Sequence, residues 1–272
     1  MGMENGWRDD TPIPDTVLRR FLDNQADLGD LIADAVGGRH LRGAGVALAD
    51  AGVPVPYLNQ AVLLRPALSA DDPVLTTIDE FFAAGTSPST ILSAWPTPDL
   101  AHCGWELVGH PVFVLRAPGV HEFSPNAGVD IGLADTPRDL ATAEAVAVQG
   151  YPLPEATGLP PNAIFGSGLL GGPLRIRVAM LDGAPAAVGS GHVAHGVVNL
   201  CLGATLPAAR RRGAWESLVW ARVDDGPGLP AAAFTSDDSR PGFLRMGFLP
   251  ITRFTVWLRP SRLSPRWRAV GG

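Results

Sequence analysis

The stretch Thr205-Leu206-Pro207-Ala208-Ala209-Arg210-Arg211-Arg212-Gly213-Ala214-Trp215 sets three arginines directly before a glycine, between a segment that reads as a strand and one that reads as a helix. At a helix start the leading N–H groups have no intrahelical acceptor, and the aligned peptide dipoles place partial positive charge there. Gly213 gives a ligand room to approach the backbone, while Arg210, Arg211 and Arg212 supply N–H groups and guanidinium forks. That combination suits a phosphate. Hydrogen bonds to a charged group contribute roughly 1.5 to 3 kcal/mol each, so three or four would account for much of a micromolar affinity, about 8 kcal/mol. A plain exposed helix entrance is the alternative reading. Nucleotide hydrolysis and dinucleotide binding fit poorly: there is no G-x-x-x-x-G-K-[ST] loop, and no G-x-G-x-x-G followed by the required acid.

Composition narrows the partners. The chain has 272 residues, 46% apolar and 18% charged, with a formal charge of -6. It is globular, large enough for one big domain or two ordinary ones, and its acidity gives no global pull toward nucleic acid or anionic lipid. Any phosphate site must be local. Every basic residue is arginine, which points to codon bias and lowers the weight of any single arginine. Cys103 and Cys201 show no metal-ligand or Cys-x-x-Cys spacing, so reduced thiols and no metal are expected. The charged first thirty residues lack a signal-peptide core and no apolar run approaches spanning length, so a cytoplasmic protein with no membrane partner is expected. Met1 to Asp10 reads as a disordered terminus.

The elements that must position the loop alternate in type. A helix is expected over 15–36, a strand over 56–66, a helix over 71–85 capped by its aspartates, and strands over 89–95 and 105–117. The second half repeats the order: a strand at 128–134, a helix at 136–150 capped by Thr136, a hairpin at 174–183 and 185–196, and a strand at 197–206. A helix at 214–226 follows the arginines, then the stretch Ala231 to Ser236, a short turn or helix, and a strand-like run over 248–260. This is an α/β pattern with antiparallel hairpins. Sliding the chain on itself superposes Ser93 on Ser236, Gly104-Trp105 on Gly247-Phe248, Val108 on Ile251, and Leu115-Arg116 on Leu258-Arg259 at one constant offset. A duplication follows, with a boundary near Ala117 to Ser124, giving domains 1–118 and 119–272. Where the second copy carries the arginines and Gly213, the first reads Leu64-Arg65-Pro66-Ala67-Leu68-Ser69-Ala70-Asp71-Asp72, with no glycine and two acids at the helix start. Only the second copy can then bind an anion.

Thr205-Leu206-Pro207, Arg210 to Trp215, Ser236 and Gly247-Phe248, in that order around a helix and a strand, resemble the acetyl-CoA motif of the GNAT superfamily of N-acyltransferases. The resemblance covers roughly Val129 to Pro260 and, more faintly, the first copy. It implies two tandem GNAT-like domains, the first degenerate, with mixed and mostly antiparallel sheets flanked by helices. It further implies acetyl-CoA as cosubstrate, its pyrophosphate held by the backbone N–H groups of Arg211, Arg212, Gly213, Ala214 and Trp215, with Arg210 also in the cofactor site. Ala204, Thr205 and Leu206 would pair with the pantetheine and aim an N–H at the acetyl carbonyl, and Ser236 would lie near the pantetheine or thiol.

Two residues depart from the motif. Trp215 stands where the family prefers Gly or Ala, and Phe243 where it often places a tyrosine that protonates the leaving thiolate. Ser239, Tyr151 or a water would have to supply that proton. An acid or histidine would normally deprotonate the amine; His192 is the first candidate and His195 the second, each also readable as structural. Asn199 and Cys201 are expected to face the acceptor channel. The Pro- and Gly-rich segment 151–172 reads either as an acceptor-binding loop or as an ordinary surface loop. The implied activity is direct acetyl transfer to a small-molecule or peptide amine, the alternative a non-catalytic acyl-CoA sensor, and a homodimer is compatible with either.

Overall fold

The computed structural model describes residues 16–43, 45–124, 126–151 and 153–261, so the terminus 1–10 lies outside them. The first half begins with α1 (Val17–Ala35), whose Thr16 cap accepts the N–H of Arg19 and whose Phe21, Leu22, Leu28 and Ile32 form a buried stripe. β1 (Arg39–Gly43), β2 (Val46–Asp50) and β3 (Asn59–Leu63) follow, then α2 (Pro73–Ala83), β4 (Ser89–Ser93), β5 (Glu106–Gly109) and β6 (Val112–Arg116). The second half runs β7 (Val129–Leu133), α3 (Pro137–Gly150), β8 (Leu174–Leu181), β9 (Ala184–Ala194) and β10 (Val197–Thr205). It continues with α4 (Ala214–Val223), β11 (Ala231–Thr235), α5 (Arg240–Arg245), β12 (Leu249–Arg253) and β13 (Thr255–Arg259). Thr136 caps α3 as expected, in a reciprocal box with Asp139.

These strands make two sheets, ordered β1-β2-β3-β4-β13-β5 and β12-β6-β11-β10-β9-β8-β7. Only β3 with β4 and β10 with β11 pair in parallel. The helices pack on the sheet faces, with α4 against β8, β9 and β10 and α1 against β2 and β10. The sequence repeat has its counterpart in the fold: β4, β5 and β6 correspond to β11, β12 and β13.

The sheets do not follow the sequence halves. β6 lies between β11 and β12 in the second sheet, and β13 lies between β4 and β5 in the first. The runs 105–117 and 248–260, each expected as one strand, are therefore two strands in different sheets. Pro111, which has no N–H to give a ladder, separates β5 from β6, and its carbonyl accepts the N–H of Phe254 between β12 and β13 at 3.0 Å. The two crossings thus touch. Around them Phe21, Phe113, Phe234 and Phe254 pack together, Phe234 edge to face on Phe254 with centroids 4.5 Å apart and Phe21 tilted against Phe113 at 4.7 Å. This cluster sits between the sheets, so the two copies share one core and each lends the other its last strand.

Candidate functional site

The site begins where β10 leaves its neighbours. β10 pairs with β11 only at Val198↔Ala231 and Asn199↔Ala232, so from Leu200 onward the two strands part. On its other edge β10 bulges: the register runs from Cys201↔Ser190 to Ala204↔Val188, which sets Leu202 and Gly203 opposite the single residue Gly189. Leu202 has φ 51°, a left-handed conformation that costs a leucine energy and so needs support. Arg222 of α4 gives that support. Its Nη1 donates to the carbonyls of Cys201 at 3.3 Å and Ser190 at 3.4 Å, and its Nε to that of Leu218 at 2.9 Å. A Cβ on Gly189 would lie 2.8 Å from the guanidinium carbon, so a glycine is needed beside it. Burial lowers the pKa of Arg222 to about 10, which leaves it charged at neutral pH.

A cavity of about 310 Å³ fills the gap between the parted strands. One end is walled by Trp215 of α4, Phe234 of β11, and Ser239 and Phe243 near α5. Leu200 to Ala204 form its side. The far end belongs to the first half, with Gln25, Leu28 and Ile32 of α1, Tyr57, Leu58 and Gln60. Segment 151–172 also contributes Leu153, Ile164 and Phe165, as the acceptor-loop reading expects. The buried carboxylate of Glu144 holds that segment, accepting the N–H groups of Ile164 and Phe165 at 2.8 Å each.

The arginine-glycine loop lies beyond the end of β10. Gly213 has φ 86° and caps α4 with no side-chain hydrogen bond, leaving the first N–H groups of that helix without a cap. A Cβ at Gly213 would fall 1.8 Å from Nδ2 of Asn126. Both the dihedral and the space therefore call for glycine. The three arginines differ in what they do. Arg210 turns back to the carbonyls of Thr205 at 3.4 Å and Gly150 at 3.3 Å, and Arg212 pairs with Asp182 at 2.6 Å. Arg211 alone of the three has no protein partner among the described residues. In the first copy, the matching helix start is filled from within: the Asp72 carboxylate caps α2 and is held by Arg65 at 2.9 and 2.7 Å. That pairing holds its pKa well below the usual carboxylate range.

The other residues singled out in the sequence divide between the cavity and elsewhere. Tyr151, Ser239, Asn199, Cys201, Ala204, Trp215 and Phe243 line it. Ser236 does not; its Oγ lies 3.0 Å from that of Ser239 and accepts the Ser239 N–H. Along one edge Leu200 to Thr205 pair with β9, and the Leu206 N–H donates to the Ala186 carbonyl at 2.9 Å, while from Leu200 onward the other edge has no strand beside it. His192 is buried outside the lining, its Nδ1 2.9 Å from Oδ1 of Asn24 on α1, and burial pushes its pKa down. His195 sits in the exposed hairpin turn, paired with Asp27 at 2.7 Å. Neither histidine lines the cavity, and among the described residues its lining contains no Asp, Glu or His. Burial pushes the Cys201 thiol up to about 12, which makes it a packing residue and not a nucleophile.

Sequence reading missed Gln25, Tyr57, Gln60 and Arg222. Arg222 carried a signal, a charge amid Leu218, Val219, Trp220 and Val223 of one helix. The others could be found only from the packing of the first half on the second.

No family model and no curated protein matches the chain. Among solved structures it is similar to a GCN5-related N-acetyltransferase from Kribbella flavida, with TM-score 0.56 and 20% identity over 88% of this chain and 97% of that one. It is also similar to a structure from Novosphingobium aromaticivorans described as an acetyltransferase of the GNAT family, with TM-score 0.59 and 14% identity over 91% and 99%. A functionally unknown conserved protein from Staphylococcus epidermidis has TM-score 0.58 and 12% identity over 83% and 95%. The chain is an α/β protein of two GNAT-like units, and its fold is the GNAT fold. No helix among the described residues is long and apolar enough to cross a membrane.

Proposed function

We propose that the protein is an N-acyltransferase that moves an acetyl group from acetyl-CoA directly to an amine, using the second copy. The observation that carries this reading is the opening of β10 away from β11, with a strained bulge along the resulting cavity and an uncapped start to α4, the helix whose Trp215 lines it. The uncapped N–H groups of α4, with Arg211 beside them, suit the coenzyme pyrophosphate. Backbone groups of Leu200 to Ala204, which β11 does not pair, suit the pantetheine. When bound, the coenzyme supplies the thioester carbonyl, and the N–H groups loosened by the bulge at Leu202 and Gly203 would stabilise charge growing on its oxygen.

With no acid or imidazole in the lining, the amine enters as the free base. Its nitrogen forms a bond to the acetyl carbon, the carbon–sulfur bond breaks, and the proton lost by nitrogen ends on the sulfur. Ser239 and the half-exposed Tyr151, whose hydroxyl donates to that of Tyr57, are lining hydroxyls that could carry it in place of a tyrosine at position 243. A second reading, a coenzyme-binding module without turnover, is favoured by Phe243 itself. Calorimetry with acetyl-CoA and thiol release across an amine panel separate the two: binding with release supports the transferase, and binding without release from any amine supports the module. No binding at all removes both. The two free cysteines are compatible with a reducing, cytoplasmic setting.

A further inference from the structure

We infer that the first copy selects the acceptor, through a run of three carboxamides that favours an amine with an uncharged hydrogen-bonding group on an apolar body and rejects amines with a second positive charge. This rests on the transferase reading above. Asn199 of β10 donates through Nδ2 to Oε1 of Gln25 on α1 at 2.9 Å, and Gln25 donates through Nε2 to Oε1 of Gln60 on β3 at 2.9 Å. All three side chains line the cavity, and the run crosses from one half of the chain to the other.

Each carboxamide can make about four hydrogen bonds, and this run uses only some of them. Among the described residues, Oδ1 of Asn199 and Nε2 of Gln60 have no protein partner. One end of the run thus offers an acceptor and the other a donor, the pattern that a ligand carboxamide or hydroxyl satisfies. The surroundings argue against charge. Leu28, Ile32 and Phe165 border the cavity, and among the described residues its one charged lining residue is Arg222, a cation. An ammonium group placed there would lose its hydration without a carboxylate to replace it, and would sit near a like charge.

The test uses the full-length protein and four primary amines of equal length ending in methyl, carboxamide, ammonium or carboxylate, with acetyl-CoA as donor and free thiol as readout. The carboxamide-ended amine is expected to exceed the ammonium-ended one in kcat/KM by at least about tenfold, the size of a neutral hydrogen bond. Gln60→Glu should reverse that preference toward the ammonium-ended amine, and Gln25→Leu should erase the advantage of carboxamide over methyl. Acetyl-CoA affinity, measured by calorimetry, should be unchanged in both variants, which also shows that they fold. A ranking headed by the ammonium- or carboxylate-ended amine, or one untouched by either substitution, overturns this inference while leaving coenzyme binding intact. Thiol release from none of the four also overturns it. Absence of acetyl-CoA binding by the unaltered protein removes the transferase reading itself.

Discussion

Arg65 grips both carboxylate oxygens of Asp72, at 2.9 and 2.7 Å, while Asp72 accepts the N–H groups of Val74 at 3.0 Å and Leu68 at 3.2 Å. The first copy therefore neutralises its own helix start with an internal anion, at the place where the second copy leaves N–H groups uncapped. Asp72→Asn should reduce stability at pH 7 by about 1–3 kcal/mol, the cost of weakening charge-assisted bonds at a buried cap. Its folded pKa is lowered, so the contribution is complete above the unfolded carboxyl value and is lost as pH falls below about 3.9. Urea midpoints of the two proteins should differ most above about pH 4 and the difference should shrink steadily as pH falls below that, with part of it remaining at pH 3 because Asp72 is still charged in the folded protein there. A difference that does not shrink at all on acidification would show that the ion pair is not its source.

Gly213 is the corresponding test in the second copy. A side chain there meets Asn126 and a φ of 86°, and an aspartate adds repulsion to any diphosphate. Gly213→Asp should weaken acetyl-CoA binding by at least about a hundredfold, on the order of two charge-assisted hydrogen bonds. Arg211→Ala should weaken it about tenfold, and Arg212→Ala less, since Arg212 is already paired with Asp182. Calorimetry giving equal affinities for Gly213→Asp and the parent protein would move the coenzyme elsewhere.

Because no acid or imidazole lines the cavity, the pH dependence of the rate should belong to the substrate. The logarithm of kcat/KM should rise with pH until the pKa of the chosen amine and then level off, so two amines of different pKa give displaced curves. His192→Asn should leave that break in place, since His192 faces Asn24 outside the cavity lining and burial disfavours its charged form. A break near neutrality shared by all amines and abolished in His192→Asn would restore the histidine as base.

What the sequence disclosed was what is local. The Thr136 cap, the glycine at the head of α4 and the acids at the head of α2 are short-range patterns with one physical solution each. The repeat was visible because Gly-aromatic and Leu-Arg pairs fall at one spacing. The strand exchange was not: β5 and β6 read as one apolar run, and Pro111 was the only mark of the break. His192 illustrates the same limit. Its place on the central hairpin was legible, as was its position opposite Asn199, but its burial against Asn24 of α1, outside the cavity lining, depends on how the halves pack. Gln25 and Gln60 carry no chemical signature at all until that packing is known.

The exchange has a consequence for truncation. Residues 119–272 alone contain β11 and β12 but lack β6, which lies between them, and they carry β13 without its partners β4 and β5. Unpaired edges of this kind favour aggregation. That fragment is expected to lack a cooperative unfolding transition, and co-expression with residues 1–118 to yield a copurifying pair. A soluble fragment 119–272 that melts cooperatively would show that the borrowed strand is dispensable.

Arg222 separates positioning from stability. It holds the carbonyls of Cys201 and Ser190 on either side of the bulge that carries the strained Leu202, yet it lies too deep to be a surface anchor for the coenzyme. Arg222→Met leaves the carbonyls of Cys201 and Ser190 without their donor, so it should lower the unfolding free energy by about 2–4 kcal/mol, measured by urea unfolding apart from the kinetics. Without the guanidinium the bulge keeps its extra residue but loses the donor that fixes the Cys201 and Ser190 carbonyls, so the backbone at Leu202 and Gly203 no longer has one fixed geometry. The expected result is a fall in kcat of about a hundredfold, the scale seen when a single oxyanion donor is lost, with acetyl-CoA affinity changed by less than about threefold. Loss of affinity with kcat intact would place Arg222 in coenzyme binding and leave the bulge without a part in the rate.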